Sequence, residues 1–170
     1  MRHQVYLGLG ANLGQRRHNL ERAIAGLQEI VWITAVSPIY ETAPWGVAEQ
    51  PNFYNACLAG TTDYSPVEFL TFIKNLEMEM GRLPNITWGP RLIDIDILLF
   101  DDLLLQMGTL TIPHPHLPDR AFVLIPLADI APDVVHPELD LTIRELATAV
   151  SSAGVRRLAE PLRVDTAMMA

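Results

Sequence analysis

The chain switches between two spacings of apolar residues. Val5, Leu7 and Leu9 alternate with other residues and run into Gly8-Leu9-Gly10, which predicts a strand over 5–10 ending in a glycine turn. Leu20, Ala23, Ile24 and Leu27 then recur at helical spacing, so a helix is predicted over 16–30. Residues 31–40 and 53–62 are β-rich and predict a second and a third strand, separated by a loop with Pro44, Trp45, Gly46 and Pro51. Ser65-Pro66-Val67-Glu68 is a helix start, with a capping serine, proline in the first turn and a glutamate able to reach back. That helix should run to about Met80, stop at Gly81 and bury Phe69, Phe72, Ile73 and Leu76. A second loop, with Pro84 and Trp88, feeds a strand in which Ile93, Ile95 and Ile97 share one face and Asp94 and Asp96 the other. The strand then turns wholly apolar through Leu98, Leu99 and Phe100, a pattern that suits a central strand.

Asp101-Asp102 is expected to turn a hairpin into residues 103–105, with a further short strand over 109–112. Three prolines within 113–118 forbid regular structure there. Asp119 is expected to cap a short helix to about Leu127, and Thr142-x-x-Glu145 is a second capping box, opening a helix to about Val150. The order β-α-β-β-α-β predicts an α+β, ferredoxin-like plait: a mainly antiparallel sheet with an extra C-terminal hairpin and helices. It is read as a single domain over 1–150, followed by a C-terminal extension over 151–170 that carries little pattern.

Composition changes this picture in three places. A net charge of −8 argues against a nucleic-acid-binding face. The lone Cys57 excludes an internal disulfide framework and, within Ala56-Cys57-Leu58-Ala59, reads as inert core. No signal-peptide pattern and no apolar run long enough to span a bilayer is present, so a cytoplasmic protein that binds no membrane is expected, and a monomer.

The candidate chemistry lies on the acidic strand. Two carboxylates side by side on one strand face repel each other unless a cation sits between them, and their hard oxygens suit Mg²⁺. Arg91 supplies a fork-shaped cation just upstream, as phosphoryl transfer would need. Between Lys74 and Arg144 the basic candidates for holding phosphates are Arg82, Arg91 and Arg120. Gly8-x-Gly10-x-x-x-Gly14 is a poor dinucleotide fingerprint, because its third glycine comes one residue late and no acidic residue ends a second strand.

Separated segments resemble one family. They are Gly10-Ala11-Asn12-Leu13-Gly14, then Thr42-Ala43-Pro44-Trp45-Gly46 with Gln50-Pro51-x-x-x-Asn55-Ala56, and Trp88-Gly89-Pro90-Arg91-x-x-Asp94-Ile95-Asp96. Together they resemble the 6-hydroxymethyl-7,8-dihydropterin pyrophosphokinases of folate biosynthesis, and Pro113-His114 followed by Arg120-x-Phe122 is similar to that family's next segment. The likeness covers about residues 5–145. It implies transfer of diphosphate from ATP to the pterin hydroxymethyl group, with release of AMP and two Mg²⁺ ions held by Asp94 and Asp96. It further implies Arg82 and Arg91 as catalytic arginines. Thr42, Ala43, Trp45, Phe53, Asn55, Asp94 and Phe122 would meet the pterin, and Glu77, Trp88, Ile97, Thr111, His114 and Arg120 the nucleotide.

The chain departs from the family's pattern at Pro84, Asn85 and Thr87, in a shortened and less basic loop, and at Thr109 and Pro115. Loops 43–50 and 83–88 are expected to close over the substrates, and no dihydropteroate synthase domain is expected on this chain. Two rival readings remain open. One is another Mg²⁺-dependent, nucleotide-using transferase with an Asp-x-Asp metal site, and the other a non-catalytic binding module with both aspartates solvated.

Overall fold

A computed structural model describes residues 1–44, 49–81 and 92–165. Its elements in order are β1 (His3–Ala11), α1 (Arg16–Leu27), β2 (Trp32–Val36), β3 (Tyr40–Thr42), β4 (Phe53–Thr62), α2 (Pro66–Glu79) and β5 (Asp94–Phe100). There follow β6 (Leu105–Met107), β7 (Leu110–Ile112), α3 (Ala121–Ile130), α4 (Ile143–Ala149) and β8 (Val155–Arg157), with a single 3₁₀ turn at Leu117–Asp119. The main sheet runs β5-β1-β4-β3-β8, and β2 also pairs with β4, beyond the stretch taken by β3. Every pairing in it is antiparallel. It is thus a mixed α/β fold on a mainly antiparallel sheet.

Alternation along β1 builds two layers. Val5, Leu7 and Leu9 are buried with Leu20, Ile24 and Leu27 of α1 and Phe69, Ile73 and Leu76 of α2 in one cluster. Cys57, Leu98 and Leu99 join Leu124 and Leu127 of α3 and Ile143 and Leu146 of α4 in a second cluster. Each fully buried leucine contributes about 1.5–3 kcal/mol relative to its exposed state. The capping boxes read from the sequence are both made. Ser65 Oγ accepts from Glu68 N and Thr142 Oγ1 from Glu145 N, and each glutamate returns to the cap's own N–H.

Several predicted boundaries move, each for a local reason. The first helix ends at Leu27, because Ile30 and Val31 turn into the core and Thr62 Oγ1 donates to Ile30 O at 2.7 Å. The second predicted strand breaks into β2 and β3 across Ser37-Pro38-Ile39, where Pro38 has no N–H to give the ladder. The hairpin is β6–β7, a separate two-stranded sheet turned near Gly108 at φ 58°, so Asp101-Asp102 turns the chain out of β5 without pairing it to the next strand. Arg120, not Asp119, is the N-cap of α3 and makes no side-chain cap, since residues 117–119 form the 3₁₀ turn.

The largest correction concerns β5, which is an edge strand rather than a central one. The ladder with β1 pairs Tyr6 with Leu99 and Leu7 with Ile97, leaving Leu98 in excess. Leu98 and Leu99 therefore both enter the α3 layer, which is why the strand's end reads as apolar on both sides. The outer edge does not stay bare: His114 N donates to Leu98 O at 3.0 Å, and the carboxylate of Glu77 accepts from Ile95 N at 3.0 Å.

Candidate active site

The register of β1 against its two neighbours lays out the site. Gly10 sits between Asn55 of β4 and Asp94 of β5, and Gly8 between Cys57 and Asp96. Because side chains alternate along strands, these two rows share the face that carries α3. Glycine at both middle positions leaves a side-chain-free trough between an amide and two carboxylates. It is tight: a Cβ on Gly10 would lie 2.9 Å from Asn55 Oδ1, and one on Gly8 3.4 Å from a Leu98 methyl carbon. Asn55 Nδ2 donates to Thr42 Oγ1 at 2.8 Å, both residues being buried, which holds the amide in one orientation.

Two clefts open from this trough. The first, of about 30 Å³, is bounded by Gly8, Gly10, Asn55, Cys57, Asp96 and Phe122. Phe53 stands beside Gly10, Thr42 pairs with Phe53 in the β3–β4 register, and Ala43 follows as an exposed residue. The second, of about 300 Å³, lies along the outer side of β5 between Lys74, Ile97, Thr111, His114 and Arg120. Asp96 borders both clefts. Thus Asn55 and Phe122, with Thr42 and Phe53 adjoining, gather at one cleft, and Ile97, Thr111, His114 and Arg120 at the other. Glu77 is buried beneath the second cleft, paired with Lys74 at 3.3 Å and with the β5 edge. Trp45, Arg82, Trp88 and Arg91, together with most of the two predicted closing loops, lie outside the described residues.

The electrostatics follow from crowding. Burial pushes the Asp96 carboxyl up to about 7, and the neighbouring Asp94 and then Glu77 add to this, against the opposing pull of Arg120 and Lys74. Burial also lowers His114 to about 4, helped by Arg120 and His116, so its ring is neutral at pH 7. Its Nε2 lies 3.9 Å from Asp96 Oδ1, too far for a hydrogen bond. The Arg120 guanidinium lies 5.7 Å from the Phe122 ring centroid, linking the two clefts. Among the described residues no three His, Cys, Asp or Glu side chains form a metal cage. Two carboxylates of a repelling pair, with room beside them for phosphate oxygens and water, fit the way Mg²⁺ is held with nucleotides.

Sequence reasoning passed over four members of this site. Lys74 lies in the second cleft and acts on Asp96, a role signalled only by its i, i+3 spacing to Glu77 on α2. Gly8 and Gly10 form the trough floor, which needs the β1 register to see. Cys57 is indeed buried, with burial pushing its thiol pKa far up, yet it also borders the first cleft.

Comparison with known proteins bears on the same residues. The family described as 7,8-dihydro-6-hydroxymethylpterin-pyrophosphokinase (HPPK) matches residues 6–132, a span that includes Gly8 and Gly10 of β1, Thr42, Asn55, both aspartates and Arg120. The chain belongs to the HPPK family. Among its relatives, the 2-amino-4-hydroxy-6-hydroxymethyldihydropteridine pyrophosphokinase of Pseudomonas aeruginosa is 40% identical over 157 residues, covering 91% of this chain and 96% of that protein. The enzyme of the same name from Aquifex aeolicus is 45% identical over 133 residues, covering 78% and 83%. The HPPK fold is seen as well in the Plasmodium falciparum HPPK-DHPS crystal structure with SDX-DHP, with a TM-score of 0.73 at 19% identity over 87% of this chain. This HPPK chain spans 44% of that longer one.

Proposed function

We propose that this protein transfers the terminal diphosphate of ATP to the hydroxymethyl oxygen of 6-hydroxymethyl-7,8-dihydropterin, releasing AMP, as a step of folate biosynthesis. The observation that carries the reading is Asp96, with Asp94 beside it, standing where two clefts of different character meet. One cleft, of about 30 Å³, offers an aromatic wall and an oriented amide to one edge of a flat, polar heterocycle. The other offers Lys74 and Arg120 to an anionic chain. A donor and an acceptor bound there would meet at the carboxylates, which is what group transfer requires.

In this reading Thr42, Ala43, Trp45, Phe53, Asn55, Asp94 and Phe122 bind the pterin. Glu77, Trp88, Ile97, Thr111, His114 and Arg120 serve the nucleotide, Glu77 by holding Lys74 and the β5 edge in place. Asp94 and Asp96 would hold two Mg²⁺ ions, which when bound neutralise charge on phosphate oxygens. Arg82 and Arg91 stabilise the charge that develops on the transferring group. The strand order supports the ferredoxin-like plait, with its second strand broken in two, and the packing of residues 155–165 supports one domain that extends past residue 150. We further propose a cytoplasmic monomer that binds neither nucleic acid nor membrane. No helix among the described residues is long and apolar enough to cross a bilayer.

The test is incubation of the protein with Mg²⁺-ATP and the dihydropterin, followed by nucleotide analysis. Pterin-dependent AMP is the expected product. ADP, or AMP formed at the same rate without pterin, would overturn the assignment.

A further inference from the structure

We infer that Arg16, backed by Glu41 and by Arg156 of the C-terminal strand, positions the Thr42–Asn55 pair by holding both ends of the β3–β4 connection. The inference rests on the proposal that this pair reads the pterin.

The clamp lies on the opposite face of the sheet from the clefts. Glu41 is paired with Tyr54 across β3 and β4, so alternation sends both side chains away from Thr42, Phe53 and Asn55. Arg16, at the start of α1, reaches that face. Its Nη1 donates to Asn52 O at 2.7 Å and lies 3.6 Å from Glu41 Oε2, and its guanidinium carbon is 3.9 Å from the Tyr54 ring centroid. One planar group therefore touches the residue before Thr42, the residue before Phe53 and the residue between Phe53 and Asn55. The other oxygen of Glu41 accepts from Arg156 Nη2 at 2.5 Å, and in the β3–β8 ladder Arg156 stands opposite Glu41 and Val155 opposite Thr42.

The C-terminal segment is itself anchored. Leu158 N donates to Ile39 O at 2.9 Å, Arg17 Nη1 donates to the carbonyls of Glu160 and Pro161, and Leu162 is buried in the α1 layer. β3 has only three residues, and its C-terminal end leads straight into the connection. Pairing with β4 alone would fix Thr42, its last residue, through a ladder only three residues long. The guanidinium, shared between both ends and stacked on Tyr54, adds a second hold, as supporting contacts do for any binding group that must be held to a fraction of an ångström.

The experiment measures two affinities for each variant: the dihydropterin, titrated with Mg²⁺ and an unreactive ATP analogue present, and the analogue alone. Arg16→Ala is expected to weaken pterin binding about tenfold while analogue affinity changes by no more than about twofold. Arg16→Lys should fall between, because an ammonium cannot donate, pair and stack at once. Arg156→Ala should shift pterin affinity in the same direction by less, and Arg144→Ala, which removes only the exposed pair with Asp133, should shift neither. If Arg16→Ala does not fold, Glu41→Gln is read in its place by the same two affinities. Unchanged pterin affinity in the folded variant, or equal loss of pterin and analogue, would overturn the inference and leave the proposed function standing. Failure of the unaltered protein to bind pterin would sink both.

Discussion

At the scale of single residues, Asp96 is where function and stability pull apart. Its carboxyl is held up near 7 by burial and by Asp94, so below about pH 7 the metal-free protein keeps there a proton that a solvated aspartate would have lost. A carboxyl raised in the folded state favours folding below its unfolded value near 4, and that contribution is lost as pH rises through 7. Asp96→Asn should therefore stabilise the metal-free protein at about pH 8 while abolishing most turnover, and thermal melts beside initial rates would show it. Mg²⁺ needs the ionised form, so its affinity in the presence of an ATP analogue should rise with pH up to about 7 and then level off. A flat profile over that range would argue against Asp96 as a metal ligand. Under the proposed function the arginines should differ by role. Removal of Arg82 or Arg91 should lower turnover about 10²–10³-fold with much less effect on nucleotide affinity. Arg120→Ala should mainly weaken ATP binding, and single-turnover rates set against equilibrium titrations separate the two cases.

At the scale of elements, the site depends on how closely strands approach. β4 is the spine of the sheet, pairing with β1 on one side and with β2 and β3 on the other. Its Gly60 lies against β2 so tightly that a Cβ would come within 2.5 Å of Trp32 O and 2.6 Å of a Val31 methyl carbon. Backbone cannot yield there as a flexible side chain can. Gly60→Ala should cost about 1–3 kcal/mol, read as a lower denaturation midpoint at unchanged slope. Gly60 was legible in the sequence only as a residue of a β-rich run. The need for a bare Cα came from β2, a partner that follows α1. The same holds for β5, whose apolar end looked central because a one-residue excess at Leu98 puts neighbouring leucines into one layer.

At the scale of the molecule, the cavities and the core share atoms. Cys57 is 1% exposed, its amide bonded to Ser37 Oγ, and it borders the first cleft beneath α3. With its thiol pKa driven far up by burial, it should resist alkylation in the native state and react only as the fold opens. Its labelling rate should follow global unfolding and fall further when dihydropterin and an ATP analogue are bound. Rapid labelling at native conditions would mean that α3 lifts from the sheet by local opening.

The sequence by itself determined the α-β alternation, both capping boxes, the Asp94–Asp96 face and the family, because each of these is written in neighbouring residues through helical or strand periodicity and short-range hydrogen bonds. Tertiary structure alone decided the register in which the strands meet and which of them is left at an edge. That choice made β5 an edge strand, aligned Gly8 and Gly10 between Asn55 and the carboxylates, and brought Lys74 to Asp96. It also set Arg156 against Glu41 on β3, 115 residues earlier in the chain. The physical reason is that pairing between distant segments is settled by the joint burial of both layers, and no local stretch of the chain carries that information.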